Sequence, residues 1–404
     1  MNIRRCRDCN RYKYIESKGL CRSCYTGMKD RSSDYNLTYN PTDFLNFSKG
    51  SNQLVLGMIG SGKTVGNKIE IAEILRQSKD VEAYIVDPLG GYRDFTEEFD
   101  GNIINVDDTD SFNIFNYFGA NQKGDLESKT DQVYDFLTNC LYEADVRLSP
   151  IHDNLLKSVI SKTYKRNGVM PETSKVRNPP VFSDMINVIK YLQSNPSTIM
   201  KKNASHSQKK RVKSALSELQ TELVGIDKKF NISTNSNNNP SSNRINYYDM
   251  EKVSSSIAEI KSHSIFNEVW EQSRNSDKKS ILYIDNAGYL VDLDKPIPSI
   301  KHCFATARSR DISICLSTSK TEEFLRSNAT NGIIGSIYNI RIHRLAGDCD
   351  QVQVKFGLSD GQISYLKNAD IGSSSTSSQI LRRYGNKGFN EDEITVDSTL
   401  IDDI

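Results

Sequence analysis

Residues 57–64 read GMIGSGKT and follow directly on the apolar run QLVL at 53–56. The spacing Gly57-x-x-x-x-Gly62-Lys63-Thr64 is that of a phosphate-binding loop. Such a loop needs glycines because its backbone wraps a phosphate chain, with N–H groups turned inward and some residues at positive φ. Gly57, Gly60, Ser61, Gly62 and Val65 are expected to supply that backbone. Lys63 would place a point charge on the β- and γ-phosphates, and Thr64 would offer its hydroxyl to Mg²⁺. A strand before the loop and a helix after it, expected from Lys63 to Arg76, argue against an incidental glycine-rich turn.

Such a loop works with a carboxylate at the end of a neighbouring strand. Asp285 closes the apolar run SILYID, and Asp87 closes EAYIVD. Asp87 is followed by Pro88-Leu89-Gly90-Gly91-Tyr92, a turn that could line a nucleotide pocket. An Asp at a strand end is commonly a turn or cap residue. With two of them beside this loop, at least one is expected to face Mg²⁺, Asp285 ahead of Asp87.

Alternating strands and helices predict an α/β fold, a mostly parallel sheet flanked by helices. Four units are expected: a Cys-rich piece at 1–30, a polar linker at 31–50, the nucleotide domain at 51–385, and an acidic tail at 386–404. Helical periodicities such as FSDMINVIKYLQ mark a mostly helical insertion at about 120–250. The chain has 404 residues, 37% hydrophobic and 25% charged, with a net charge of +1. That balance excludes a global polyanion-binding signature, so nucleic-acid affinity would have to be local. No run approaches eighteen apolar residues, and MNIRRCRDCN has no apolar core of a signal peptide. A cytoplasmic location follows as an expectation, with any membrane contact made through partners.

Half of the eight cysteines crowd the N-terminus as Cys6-x2-Cys9 and Cys21-x2-Cys24. Two thiolate pairs at this spacing can converge tetrahedrally on Zn²⁺, and a unit of about thirty residues needs such a metal to fold. Arg4, Arg5, Arg7 and Arg11, with Tyr12, Tyr14 and Tyr25, suit phosphate contact and base stacking. The same surface suits docking on a protein. Lys201–Lys213 is a second basic concentration, either DNA-facing or simply solvated. Cys140, Cys303, Cys315 and Cys349 read as buried thiols, and the five histidines form no metal-ligand spacing.

In order along the chain stand the loop, IVDPLGGYRDF, SFNIFNYF, the insertion, YYDMEKV, ILYIDNAGYLV, ARSRDISICLSTSK and FGLSDGQISYLKN. This ordered set resembles the HerA–FtsK branch of P-loop motors, and within it the ATPases of conjugative transfer and type IV secretion. The resemblance covers about residues 50–385. It implies a RecA-like P-loop NTPase that binds ATP with Mg²⁺ and works as a homo-oligomer, a hexameric ring. It further implies DNA or a secretion substrate as cargo, and membrane-associated transfer proteins as partners. An arginine of one subunit would reach the next subunit's γ-phosphate, which points to Arg308 or Arg310. Lys63, Asp285 and Asn286 would complete the catalytic set. Two departures stand out: Asp285-Asn286 replaces the usual Asp-Glu, and Thr318-Ser319 replaces Thr-Gln. An amide cannot take a proton, so two readings remain, a hydrolysing motor or a nucleotide-gated binding protein. A viral genome-packaging ATPase is a third expectation of the same class.

Overall fold

The computed structural model describes residues 52–200, 203–233, 243–290, 298–326, 328–347, 349–369 and 388–389, and the backbone at 3–5, 12–17, 20–21, 378–384 and 390–394. Strands β1 (Ile3–Arg5), β2 (Tyr12–Ser17) and β3 (Leu20–Cys21) form a small antiparallel sheet. Cys6, Cys9 and Cys24 lie outside the described residues, and with them the expected zinc site.

The phosphate loop leaves β4 (Asn52–Leu56) and enters α1 (Lys63–Gln77). Next come β5 (Val81–Asp87), α2 (Arg93–Glu98) and β6 (Asn102–Asp107). Four helices follow: α3 (Asp125–Glu143), α4 (Pro150–Arg166), α5 (Phe182–Ser194) and α6 (His206–Phe230). The sheet resumes with β7 (Ile245–Lys252), α7 (Ala258–Arg274), β8 (Lys279–Ile284), α8 (Pro298–Thr306) and β9 (Ile312–Thr318). Then come α9 (Thr321–Arg326), α10 (Asn328–Ile334), β10 (Ile337–Ile342), α11 (Asp350–Phe356), α12 (Asp360–Asn368), β11 (Ser378–Tyr384) and β12 (Asn390–Ile394).

The strand order is β12-β11-β10-β4-β9-β8-β5-β7-β6. From β10 to β6 every pairing is parallel, while β11 and β12 pair antiparallel at one edge. Alternate residues of each central strand feed opposite cores, as a parallel sheet covered on both faces requires. Leu54, Leu282, Ile284 and Leu316 pack with Phe266, Val269 and Phe304 on one side. Val55, Ile85, Ile281 and Tyr283 pack with Ile71 and Ile74 of α1 on the other. This is the α/β architecture expected from the alternation of strands and helices.

The insertion has a core of its own, separate from both faces of the sheet. In α5 the buried residues Phe182, Met185, Val188, Ile189 and Leu192 fall on one stripe at helical spacing. Helix α6 opens on a capping box, in which Gln208 N–H donates to Ser205 Oγ at 3.2 Å and Ser205 N–H to Gln208 Oε1 at 2.7 Å. It buries Leu216, Leu219, Leu223, Ile226 and Phe230, and ends at Asn231 in the left-handed region (φ 54°). Each such apolar side chain contributes about 1.5–3 kcal/mol on burial.

Two further strands lie near the ends of the expected units. The helices end at Phe230, and Ile245–Lys252, inside the expected insertion, is a central strand between β5 and β6. This strand takes in all but the last residue of YYDMEKV, a strand start by the resemblance, and its first six residues are buried, as a central parallel strand requires. Asn390–Ile394, inside the expected tail, is an edge strand, because an edge tolerates charged residues that a central strand does not. Cys140, Cys303, Cys315 and Cys349 are buried. Among the described residues no helix is long and apolar enough to cross a membrane.

Where α7 meets α3, His263 is fully buried against the Phe136 ring, 5.5 Å between centroids. Neither ring nitrogen has a hydrogen-bond partner among the described residues. Burial, with Lys129 adding to it, pushes its pKa down to about 4. An imidazole kept neutral in the fold stabilises it above the ordinary value of about 6.5 and loses that contribution as pH falls toward 4. The effect is of order 3 kcal/mol. We predict that His263→Leu flattens the acid limb of a melting-temperature profile measured from pH 7 to 4, whereas the unmodified chain drops more steeply there.

Candidate nucleotide-binding site

Gly57 leaves β4 where a Cβ would stand 2.7 Å from both His343 Cβ and Ser61 Oγ, so no side chain fits. Gly62 caps α1 from the left-handed region, with φ 83° and ψ 11°, a conformation glycine adopts without steric cost. Between them lie Gly60 and Ser61, whose buried Oγ has no hydrogen-bond partner among the described residues. Lys63 Nζ folds back and donates to the carbonyls of Gly57 and Met58, each at 2.8 Å. Burial lowers its pKa to about 8, opposed by the nearby Asp285 carboxylate. Val65 is half-buried in the first turn of α1.

Parallel pairing of β7, β5 and β8 carries three aspartates to one edge of the sheet, and their partners sort them. Asp249 is ion-paired with Arg93. Asp87 is turned to its own chain, accepting from the N–H groups of Leu89 at 2.9 Å and Gly91 at 2.6 Å. Its pKa is pushed up to about 6, first by burial and then by Asp285. Asp285 alone of the three is hydrogen-bonded to the loop: its Oδ2 accepts from Thr64 Oγ1 at 3.0 Å and from Tyr92 Oη at 3.1 Å. Tyr92 is fully buried and accepts in turn from Asn67 Nδ2 at 3.1 Å, so α1 braces the carboxylate twice. Asn286 N–H donates to Asp285 Oδ1 at 2.9 Å from a left-handed backbone (φ 51°), which asparagine tolerates well.

Two residues of this neighbourhood carry no motif. Arg341, buried on β10, is hydrogen-bonded to Asn67 and lies 3.5 Å from Glu70. His343, just past β10, contacts the Ser61 carbonyl through Nδ1 at 3.0 Å. Their signal in the sequence is the alternation IRIH: Ile340 and Ile342 enter the sheet core while the polar pair meets α1. A histidine assigned no role by spacing therefore packs under the phosphate loop.

The two expected arginines part company. Arg308 is exposed on the 3-10 turn at Ala307–Arg310, between α8 and β9. Arg310 is 8% exposed in its side chain and is ion-paired within the same chain to Asp125, itself 1% exposed. Thr318 closes β9 on the same edge as Asp285, and its Oγ1 accepts from Lys320 N–H at 3.1 Å. The chemistry of the donors fits a polyphosphate with a divalent cation: a glycine cradle, an ammonium, and a hydroxyl joined to a carboxylate.

No protein-family model matches the sequence, and no curated protein matches it. Solved structures share the fold, three of them as follows. VirB4 of Thermoanaerobacter pseudethanolicus superposes with a TM-score of 0.65 at 15% identity, covering 86% of this chain and 90% of that one. The bacterial conjugative coupling protein TrwBdeltaN70 gives 0.53 at 13% identity, covering 87% of each chain. The plasmid coupling protein TrwB in complex with ADP and Mg²⁺ gives 0.52 at 12% identity, covering 87% of this chain and 86% of that one. At these identities the likeness establishes a P-loop NTPase fold.

A polyphosphate prefers Lys63 protonated, and the free site releases that proton near pH 8. We predict that affinity for ADP with Mg²⁺ weakens by roughly tenfold between pH 7 and 9. Titration calorimetry across that range checks it. Lys63→Met should bind weakly at every pH without that slope.

Proposed function

We propose that the chain binds ATP with Mg²⁺ and hydrolyses it to move DNA, or a secretion substrate, in conjugation or a related mobile-element process. The observation that carries this reading is the contact from Thr64 Oγ1 to Asp285 Oδ2, which joins the phosphate loop to the neighbouring strand end. The fold neighbour solved with ADP and Mg²⁺ supports the choice of ligand, and the conjugative coupling proteins support the choice of process.

Each residue then has a role. Loop N–H groups and Lys63 hold the β- and γ-phosphates, while Thr64 and Asp285 are placed to hold Mg²⁺, with Asp87 alongside. Bound there, the cation would neutralise charge on the phosphate oxygens. Asn286 orients the attacking water through its amide, since positioning and electrostatics dominate phosphoryl transfer. Arg308, exposed on its turn, reaches the nucleotide of a neighbouring copy in a ring. Arg310 serves a different end, because its guanidinium is already committed within the chain. The N-terminal Cys6, Cys9, Cys21 and Cys24 would bind Zn²⁺ and engage DNA or a partner protein. The site of action is the cytoplasm, at a membrane through partner proteins.

Asn286 favours a second reading, a nucleotide-gated binding protein with little hydrolysis. Steady-state ATP turnover with and without single- and double-stranded DNA separates the two. For the motor we expect DNA-stimulated hydrolysis that falls by roughly two to three orders of magnitude in Lys63→Ala and Asp285→Ala. Negligible turnover that DNA leaves unchanged, from a monomer, would establish the switch instead.

A further inference from the structure

The insertion begins on a buried carboxylate that it shares with the arginine-bearing turn of the sheet domain. Asp125, first residue of α3, accepts from the N–H groups of Asn121 and Gln122, each at 2.8 Å. It also accepts from Arg274 Nη1 at 3.3 Å and from Arg310 Nη2. Arg274, at the end of α7, is anchored to Glu271 at 2.7 Å and to the Gly119 carbonyl at 2.9 Å. A second contact crosses the same seam, where Gln122 Nε2 donates to the Ser309 carbonyl at 3.3 Å. Loop 121–125 thus grips two consecutive residues of the 307–310 turn, Ser309 and Arg310. Arg308 immediately precedes them and is exposed.

The seam continues along α3 against α8. Gln132 Nε2 contacts Cys303 Sγ at 3.4 Å, and Asp135 accepts from the Ser299 N–H at 2.7 Å. Contacts from 125 to 310, 132 to 303 and 135 to 299 make the two helices antiparallel neighbours joined by polar groups. Separating a buried charge pair is costly because it strands both charges. A shift of the insertion therefore carries the turn with it.

We propose that Asp125 is a positioning residue: through Arg310 it fixes the 307–310 turn and so sets the direction in which Arg308 leaves it. The insertion is then coupled to hydrolysis, because any rotation of α3 re-aims Arg308. This inference rests on Arg308 being the arginine that reaches a neighbouring nucleotide. Among the described residues, Asp125 is hydrogen-bonded to no part of the phosphate loop.

Two measurements test it on the full chain. Amide exchange compares Asp125→Asn with the unmodified protein, and the expected result is faster exchange over 307–311 with 57–66 unchanged. Turnover and ADP affinity are measured for the unmodified chain, D125N, R308A and the double variant. We expect D125N to lower turnover at least tenfold with affinity held within twofold, and to cause no further loss in the R308A background. Unchanged exchange over 307–311 overturns the proposal. So does an equal fold-loss in both backgrounds, or wild-type turnover in R308A. If the unmodified chain does not hydrolyse ATP, the motor reading fails, and the exchange result alone upholds or overturns the positioning role. Should D125N not fold, Gln122→Ala removes the exposed half of the grip and carries the same comparisons with a smaller loss.

Discussion

One hydrogen bond, from Thr64 to Asp285, joins side chains 221 residues apart in sequence, and the sheet is arranged around making it. It requires β4 and β8 to run parallel and to end at the same edge, with β9 between them. Short connections cannot join parallel neighbours, so helices α1, α7 and α8 return the chain across the two faces. The phosphate loop needs a strand end with a free carboxylate nearby, and of the three aspartates at this edge two are held by Arg93 or by their own turn. Tyr92 and Asn67 then hold the third against α1. Remove that brace and the carboxylate has a single partner from the loop.

Much of this edge is readable in the sequence because its parts are local. Gly57 to Thr64 is one contiguous pattern, and Asp285 stands at the end of an apolar run. What resisted reading is non-local. The commitment of Arg310 depends on Asp125, 185 residues earlier, and nothing near ARSR announces it. Arg341 and His343 stand beneath the loop only because β10 lies beside β4, a pairing that no periodicity encodes. Strand β12 is concealed by its run of charged residues. The zinc reading rests on cysteine spacing, with Cys6, Cys9 and Cys24 beyond the described residues.

The two bodies of the nucleotide domain are held by different forces. The sheet and the insertion each keep an apolar core, where Leu, Ile and Phe side chains close-pack and resist displacement. Where they meet, Asp125, Glu271, Arg274 and Arg310 form a network of directed contacts. Apolar packing holds a shape, whereas a charge network holds an angle.

The antiparallel pair β11–β12 closes one side of the sheet, so β10, which carries Arg341, is an interior strand. The new outermost strand reads Asn390-Glu391-Asp392-Glu393-Ile394. With β4 on one side and β11 on the other, the backbone of β10 is paired along both flanks, so the strand that brings Arg341 to α1 cannot fray as an outer strand would.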